Sequence, residues 1–258
     1  MPDLPLPGPL PDVDRLNVDA AALGWMERIR LAAGAVAGRI VFTTSFGIDD
    51  QVVVHALAQA GRLHGPGAVD VVTLDTGRLF AETYATWRET EHRYGLRIRA
   101  LYPRTEEVQA LVLRDGIDGF TRSVAQRQAC CGVRKVEPLG RALAGAAGWI
   151  TGLRAEQSPD RSRVRFAERD GQFGLLKISP LHDASREDVL ALIRAADIPY
   201  SPLEDRGFRS VGCQPCTRAI APGEPERAGR WWWETDEKKE CGLHLDDSGR
   251  LVRIRAAA

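Results

Sequence analysis

Residues 39–50 read RIVFTTSFGIDD. Ile40, Val41 and Phe42 followed by two threonines form a short β-branched and aromatic run, the composition of a strand buried on both faces. Ser45-Phe46-Gly47 ends it, and Asp49 and Asp50 open a helical pattern that continues to Leu57. A second unit repeats the alternation: residues 69–74 read as a strand, Asp75-Thr76-Gly77 as a turn, and residues 80–94 as an amphipathic helix. Further strands are expected at 97–101, 148–151 and 173–178, with helices at 133–146 and from Ser185, a good N-cap, to about residue 196. Strands alternating with helices predict an α/β fold, a mostly parallel sheet covered by helices on both faces.

Working outward, residues 1–38 are expected to hold an irregular proline-stiffened arm, to about Asp14, and an alanine-rich helix near 20–37. Residues 39–200 form the α/β unit. Residues 201–258, rich in glycine, proline and tryptophan, are expected to lie over it as a functional tail. The chain has 258 residues, 44% of them hydrophobic, enough for a full core. Thirty-five basic residues balance thirty-five acidic ones, which argues against a protein that holds nucleic acid by neutralising phosphates. An anionic ligand therefore has to be met by a local basic cluster. The first residues carry prolines where an export signal needs a continuous apolar stretch, and no segment approaches the roughly 20 apolar residues of a membrane span. The expectation is a cytoplasmic protein whose thiols stay reduced.

The five cysteines are Cys130, Cys131, Cys213, Cys216 and Cys241. Adjacent cysteines do not readily meet the geometry of a mutual disulfide. Four thiolates in two groups can hold either a tetrahedral zinc or a four-iron cluster. Adjacency favours the cluster, because neighbouring side chains splay apart and reach separate irons more easily than they converge on one ion.

Three blocks carry a family resemblance: residues 130–139, CCGVRKVEPL; residues 212–216, GCQPC; and residues 240–244, ECGLH. Together, and in this order, they resemble the cluster-bearing adenosine 5′-phosphosulfate (APS) reductases, relatives of the phosphoadenylyl sulfate (PAPS) reductases. The resemblance runs from Thr43 to His244. It implies a fold like that of the adenine-nucleotide α-hydrolases, a 4Fe-4S cluster on Cys130, Cys131, Cys213 and Cys216, and Cys241 as the nucleophile. The reaction it implies is assimilatory: APS is reduced to sulfite and AMP, with separate thioredoxin as electron donor. Lys238, Lys239 and His244 surround Cys241 in the sequence, and their charge would favour its thiolate.

The resemblance assigns Lys135, Arg227, Arg230 and His244 to the phosphosulfate, in keeping with the preference of oxyanions for guanidinium donors. Ser45 and Gly47 stand where a helix N-terminus meets an anion. By the same resemblance the turns Asp75-Thr76-Gly77 and Thr151-Gly152-Leu153-Arg154 are expected around the adenosine, with Arg161 or Arg163 completing the pocket. One departure is local: many cluster-bearing members have a small residue and Glu before the last Asp of the loop that here reads Ser45-Phe46-Gly47-Ile48-Asp49-Asp50. The Trp231-Trp232-Trp233 run suits anchoring of the tail to the core or contact with a second copy in a homo-oligomer.

Three other functions compete. An ATP-cleaving adenylating or tRNA-thiolating enzyme needs a glycine-rich loop around pyrophosphate, and here that loop has one glycine. A non-catalytic iron–sulfur or zinc sensor leaves Cys241 and the arginines without a role. A PAPS reductase is the nearest rival, and the two paired-cysteine motifs accompany preference for APS.

Overall fold

The computed structural model describes residues 11–234. A six-stranded sheet forms its centre: β1 Ile40–Thr44, β2 Asp70–Leu74, β3 Arg99–Leu101, β4 Gly148–Ile150, β5 Ala167–Asp170 and β6 Leu175–Ile178. The spatial order is β3-β2-β1-β4-β6-β5, parallel throughout except for the antiparallel β5–β6 pair. Eight α-helices accompany it among the described residues: α1 Val13–Ala20, α2 Trp25–Ala35, α3 Ile48–Gln59, α4 Ala81–Tyr94, α5 Thr105–Asp115, α6 Val124–Cys131, α7 Glu137–Leu143 and α8 Arg186–Ala195.

The strand period of two divides the interior into two cores. Ile40, Phe42, Val71, Ile150, Leu176 and Ile178 face one core, with residues of α2, α3 and α8. Val41, Val72, Trp149 and Leu175 face the other, against Leu139, Ala142 and Leu143 of α7. Both faces of β1 are therefore dry, which is why its sequence is continuously apolar rather than alternating. Each fully buried side chain of this size contributes about 1.5–3 kcal/mol of transfer free energy. The expected α/β class, with a parallel sheet covered on both sides, is the one the chain adopts.

Several elements depart from the sequence expectation. The N-terminal helix begins at Val13, where Asp12 caps it by accepting from the N–H groups of Asp14 and Arg15, and a second helix starts at Trp25. Asn17 on α1 pairs with the β5 backbone through its side-chain amide, accepting from Ala167 N at 3.1 Å and donating to Ala167 O at 3.0 Å. That contact covers part of an edge strand. β5 itself was not expected, because Ala-Glu-Arg-Asp has weak strand propensity; the Asp170-Gly171 step and Gly174 at φ +66° mark its hairpin. α5 was likewise not foreseen.

The helix expected after the cysteine pair is present, ending at Leu143, and a further helix, not foreseen, runs into the pair from before it. α6, a π-helical segment Gly132–Val136 and α7 run on without a break. The cause is Pro138: it has no N–H to donate, and its ring would press on the carbonyl four residues back. The backbone widens so that Glu137 N–H bonds to Gly132 O, an i→i−5 step. None of the described helices is long and apolar enough to cross a membrane.

Candidate active site

The connection from β1 goes to β2 on one side while β4 lies on the other, so the carboxyl end of β1 is a topological switch point, the usual ligand position in open parallel sheets. A cavity of about 210 Å³ opens there. Its base is made by Thr43 and Thr44 of β1, Thr73 and Leu74 of β2, and Thr151 and Gly152 after β4. The loop of residues 45–50 forms one wall.

That loop is shaped by Asp50. Its carboxylate accepts from Ser45 N at 2.6 Å and from Ser45 Oγ at 2.8 Å, closing the turn on itself. The left-handed residue is Phe46, at φ +63°, rather than Gly47. A non-glycine residue there is held by its surroundings: Phe46 is buried and stacks on Trp87 with ring centroids 5.6 Å apart. Gly47 begins α3 with no side-chain cap, so its first-turn N–H groups are presented toward the cavity. Gly152 is required by close approach, since a Cβ there would lie 2.4 Å from Asp50 Oδ1. Burial raises the Asp50 carboxyl to about 7 against the opposing pull of the Ser45 hydrogen bonds.

Opposite stands a network the sequence reading did not find. Arg154, fully buried, donates to Asp49 at 2.6 Å and to both carboxylate oxygens of Glu226 at 3.2 and 3.1 Å, and Arg186 pairs with Glu204. Burial raises Glu226, and pushes Glu204 up to about 7. Asp49, Glu204 and Glu226 all line the cavity. No periodicity announces them; they converge from α3 and from two loops.

Among the residues singled out from sequence, Ser45, Gly47, Gly152, Lys135, Arg161, Arg227 and Arg230 line the cavity, joined by Arg209, which was not anticipated. Asp75, Thr76 and Gly77 do not. Asp75 accepts from Tyr84 Oη at 2.9 Å and from Gly77 N, while Thr76 Oγ1 lies 3.2 Å from Cys213 Sγ and its carbonyl accepts from Arg134 at 2.6 Å. This turn supports the cysteines instead of the cavity. Arg163 is exposed and outside the lining, so of the two arginines it is Arg161 that reaches the cavity. Cys241 and His244 lie outside the described residues.

The π-helical turn brings the two regions together. Cys131, Cys213 and Cys216 are buried in one cluster with Phe120 and Trp231, and Cys130 and Trp233 pack against it. The four thiols are free of disulfides. Burial pushes Cys216 up to about 12, Cys213 adds to the rise, and Arg230 and Lys135 oppose it. Burial likewise raises Cys130, and Arg134 opposes that rise. Lys135 and Arg230 therefore act on the thiols while also lining the cavity. Among the described residues, no three His, Cys, Asp or Glu side chains converge closely enough to hold one metal ion. The surroundings nonetheless suit a group with sulfur acceptors: the indole N–H groups of Trp231 and Trp233, at the edge of the thiol cluster, are buried with no hydrogen-bond partner. An all-sulfur donor set with idle N–H donors beside it fits an iron–sulfur cluster.

A parallel sheet with a switch-point cavity, walled by arginines and backed by four gathered thiols, defines an α/β protein built for an anionic nucleotide-like ligand beside a sulfur centre. Residues 39–219 match the phosphoadenosine phosphosulfate reductase domain, and the chain belongs to that family. It is 52% identical over 243 residues to the adenosine 5′-phosphosulfate reductase of Sinorhizobium fredii strain USDA 257, covering 94% of each chain. It is 41% identical over 226 residues to the adenosine 5′-phosphosulfate reductase of Burkholderia cepacia, covering 88% of each. Among solved structures it resembles the phosphoadenylyl-sulfate reductase of Candida auris in its phosphate complex. The TM-score is 0.67 at 25% identity, over 81% of this chain and 96% of that one.

Proposed function

We propose that the protein is an adenylyl-sulfate reductase that converts APS to sulfite and AMP, with thioredoxin as reductant, in cytoplasmic sulfate assimilation. The observation that carries this reading is that Lys135 and Arg230 face the cavity and the thiol cluster at once. The names of the relatives at about 50% identity support the substrate.

In this reading the cavity holds the nucleotide at the switch point. Arg161, Arg227, Arg230 and Lys135 hold the phosphosulfate oxygens by charge-assisted hydrogen bonds. The Cys241 thiolate attacks the sulfonyl sulfur; a bond forms between the two sulfurs, the bond from sulfur to the phosphate oxygen breaks, and AMP leaves with that electron pair. A thioredoxin thiolate then attacks Sγ of Cys241 and sulfite departs. The second thioredoxin thiol resolves the mixed disulfide. A 4Fe-4S cluster, held by Cys130, Cys131, Cys213 and Cys216, would supply a polarisable sulfur surface behind Lys135.

The test is to mix the protein with APS and no thioredoxin. Release of up to one AMP per active site and a sulfonate on the peptide containing Cys241 are expected, with sulfite appearing when thioredoxin is added. Cys241→Ser should bind APS and do neither. Near-normal turnover in that variant removes Cys241 from its role, and a higher specificity constant for PAPS than for APS in competition reassigns the substrate while leaving the chemistry intact.

A further inference from the structure

Arg127 has no part in the chemistry above, yet it is among the most deeply buried charged side chains. It sits on α6, one turn ahead of Cys130 and Cys131, with its side chain 1% exposed. Its Nε donates to Oε1 of Glu234 at 2.6 Å, across 107 positions of sequence, and the Glu234 side chain is 4% exposed. The Arg127 guanidinium lies 4.4 Å from the centroid of the Trp231 ring, and that of Arg230, which lines the cavity, lies 4.6 Å from the same ring.

Trp231 is itself held tightly. It occupies the left-handed region at φ +43°, its N–H bonds to Cys216 O at 3.2 Å, and Glu234 N–H bonds back to Trp231 O at 2.9 Å. The stretch from Arg230 to Glu234 is thereby pinned to the cysteine helix, to the CxxC segment and to the cavity wall. A buried ion pair of this kind adds little stability over a hydrophobic pair of equal volume, because both charges are desolvated; where it matters, it specifies a geometry. What it specifies here is the point from which the chain continues. Cys241 follows Glu234 by seven residues, a tether of at most about 25 Å.

Resting on the reading of Cys241 as nucleophile, the geometry points to Arg127 and Glu234 as a positioning pair that anchors the root of the Cys241 segment to the helix bearing the first cysteine pair. The covalent chain keeps Cys241 within about 25 Å of Glu234, so holding Glu234 beside the thiol cluster fixes the point from which the attacking sulfur is delivered. Releasing the pair removes that point and lowers the effective concentration of the sulfur.

The experiment uses the full-length protein with its cluster, comparing wild type with Glu234→Gln and with the double variant Arg127→Met/Glu234→Leu. The double variant leaves no lone buried charge and keeps the packing on Trp231, so it separates loss of the anchor from misfolding. Four quantities are read: iron and sulfide content, affinity for AMP, the single-turnover rate of AMP release from APS, and the extent to which bound AMP changes alkylation of Cys241 by iodoacetamide. Both variants should keep cluster content and AMP affinity, while AMP release slows on the order of 10- to 100-fold, the scale of a misplaced reacting group. The AMP effect on Cys241 alkylation should shrink in parallel. A wild-type rate in cluster-replete variants overturns the proposal, as does a rate loss that merely follows cluster loss. If wild type releases no AMP, the nucleophile reading fails instead, and the alkylation comparison still decides the anchor: equal alkylation profiles in wild type and variants refute it.

Discussion

At the scale of single residues, Asp50 shapes the first wall of the cavity and also makes it sensitive to pH. Its carboxyl is raised from 3.8 to about 7 by burial. Between those values the folded chain holds a proton that the unfolded chain has released, so stability from this group is complete below about pH 4 and is lost as pH rises toward 7. Roughly three units at about 1.4 kcal/mol each set an upper limit of about 4 kcal/mol. Asp50→Asn, uncharged at every pH, should flatten the dependence of Tm on pH between 5 and 7.5 relative to wild type, as measured by thermal unfolding in a series of buffers. An unchanged slope would assign the titration elsewhere, with Glu204, also raised to about 7, as the next group to replace. Little of this was legible beforehand: Asp49 and Asp50 read as ordinary acidic residues of a helix first turn, and only the fold shows that one closes the loop while the other meets Arg154.

At the scale of elements, the π-helical segment decides where Lys135 goes. Each residue of a regular helix turns about 100°, so absorbing one extra residue before α7 changes the direction of every side chain on one side of it relative to the other. Pro138→Ala restores the missing N–H and lets the turn tighten, which would swing Lys135 away from the cavity while α6 stays fixed by its own contacts. The expected result is a roughly tenfold lower kcat/KM for APS with thermal stability equal to or above wild type, since proline is the costlier residue within a helix. Steady-state kinetics alongside thermal unfolding checks this, and unaltered kinetics would show that Lys135 does not depend on the π turn. The sequence announced the parallel strands through continuous apolar runs, and α8 through Ser185 as its N-cap, which the structure extends to a capping box with Asp188. It did not announce that 124–143 is one continuous helical run: the helix was expected to begin at 133, with Pro138 near its first turn, and the turns before the cysteine pair were not read as helical.

At the scale of the whole molecule, one cysteine group comes from the helical run between β3 and β4 and the other from the segment after α8, and the two meet in one cluster. The motifs made the group of four legible, together with the arginines that accompany it; the acidic network and the Arg127–Glu234 pair were not legible, because their partners lie 105 and 107 positions apart with no repeating pattern between them. If the four thiols hold a 4Fe-4S group, anaerobically prepared protein should contain about four iron and four sulfide per chain, and replacing any one of the four cysteines by Ser should lose iron and activity together. Stoichiometric zinc without sulfide would exclude it. The separation of the two groups also sets an order of events at the ribosome. Cys213 is synthesised 82 residues after Cys131, an interval of roughly 4–16 s at ordinary rates of translation. For that time the growing chain carries half a thiol set with nothing to complete it. The sulfur pocket is therefore a late event: it cannot close until Cys216 has been made, and any group that needs all four sulfurs can be taken up only after that point.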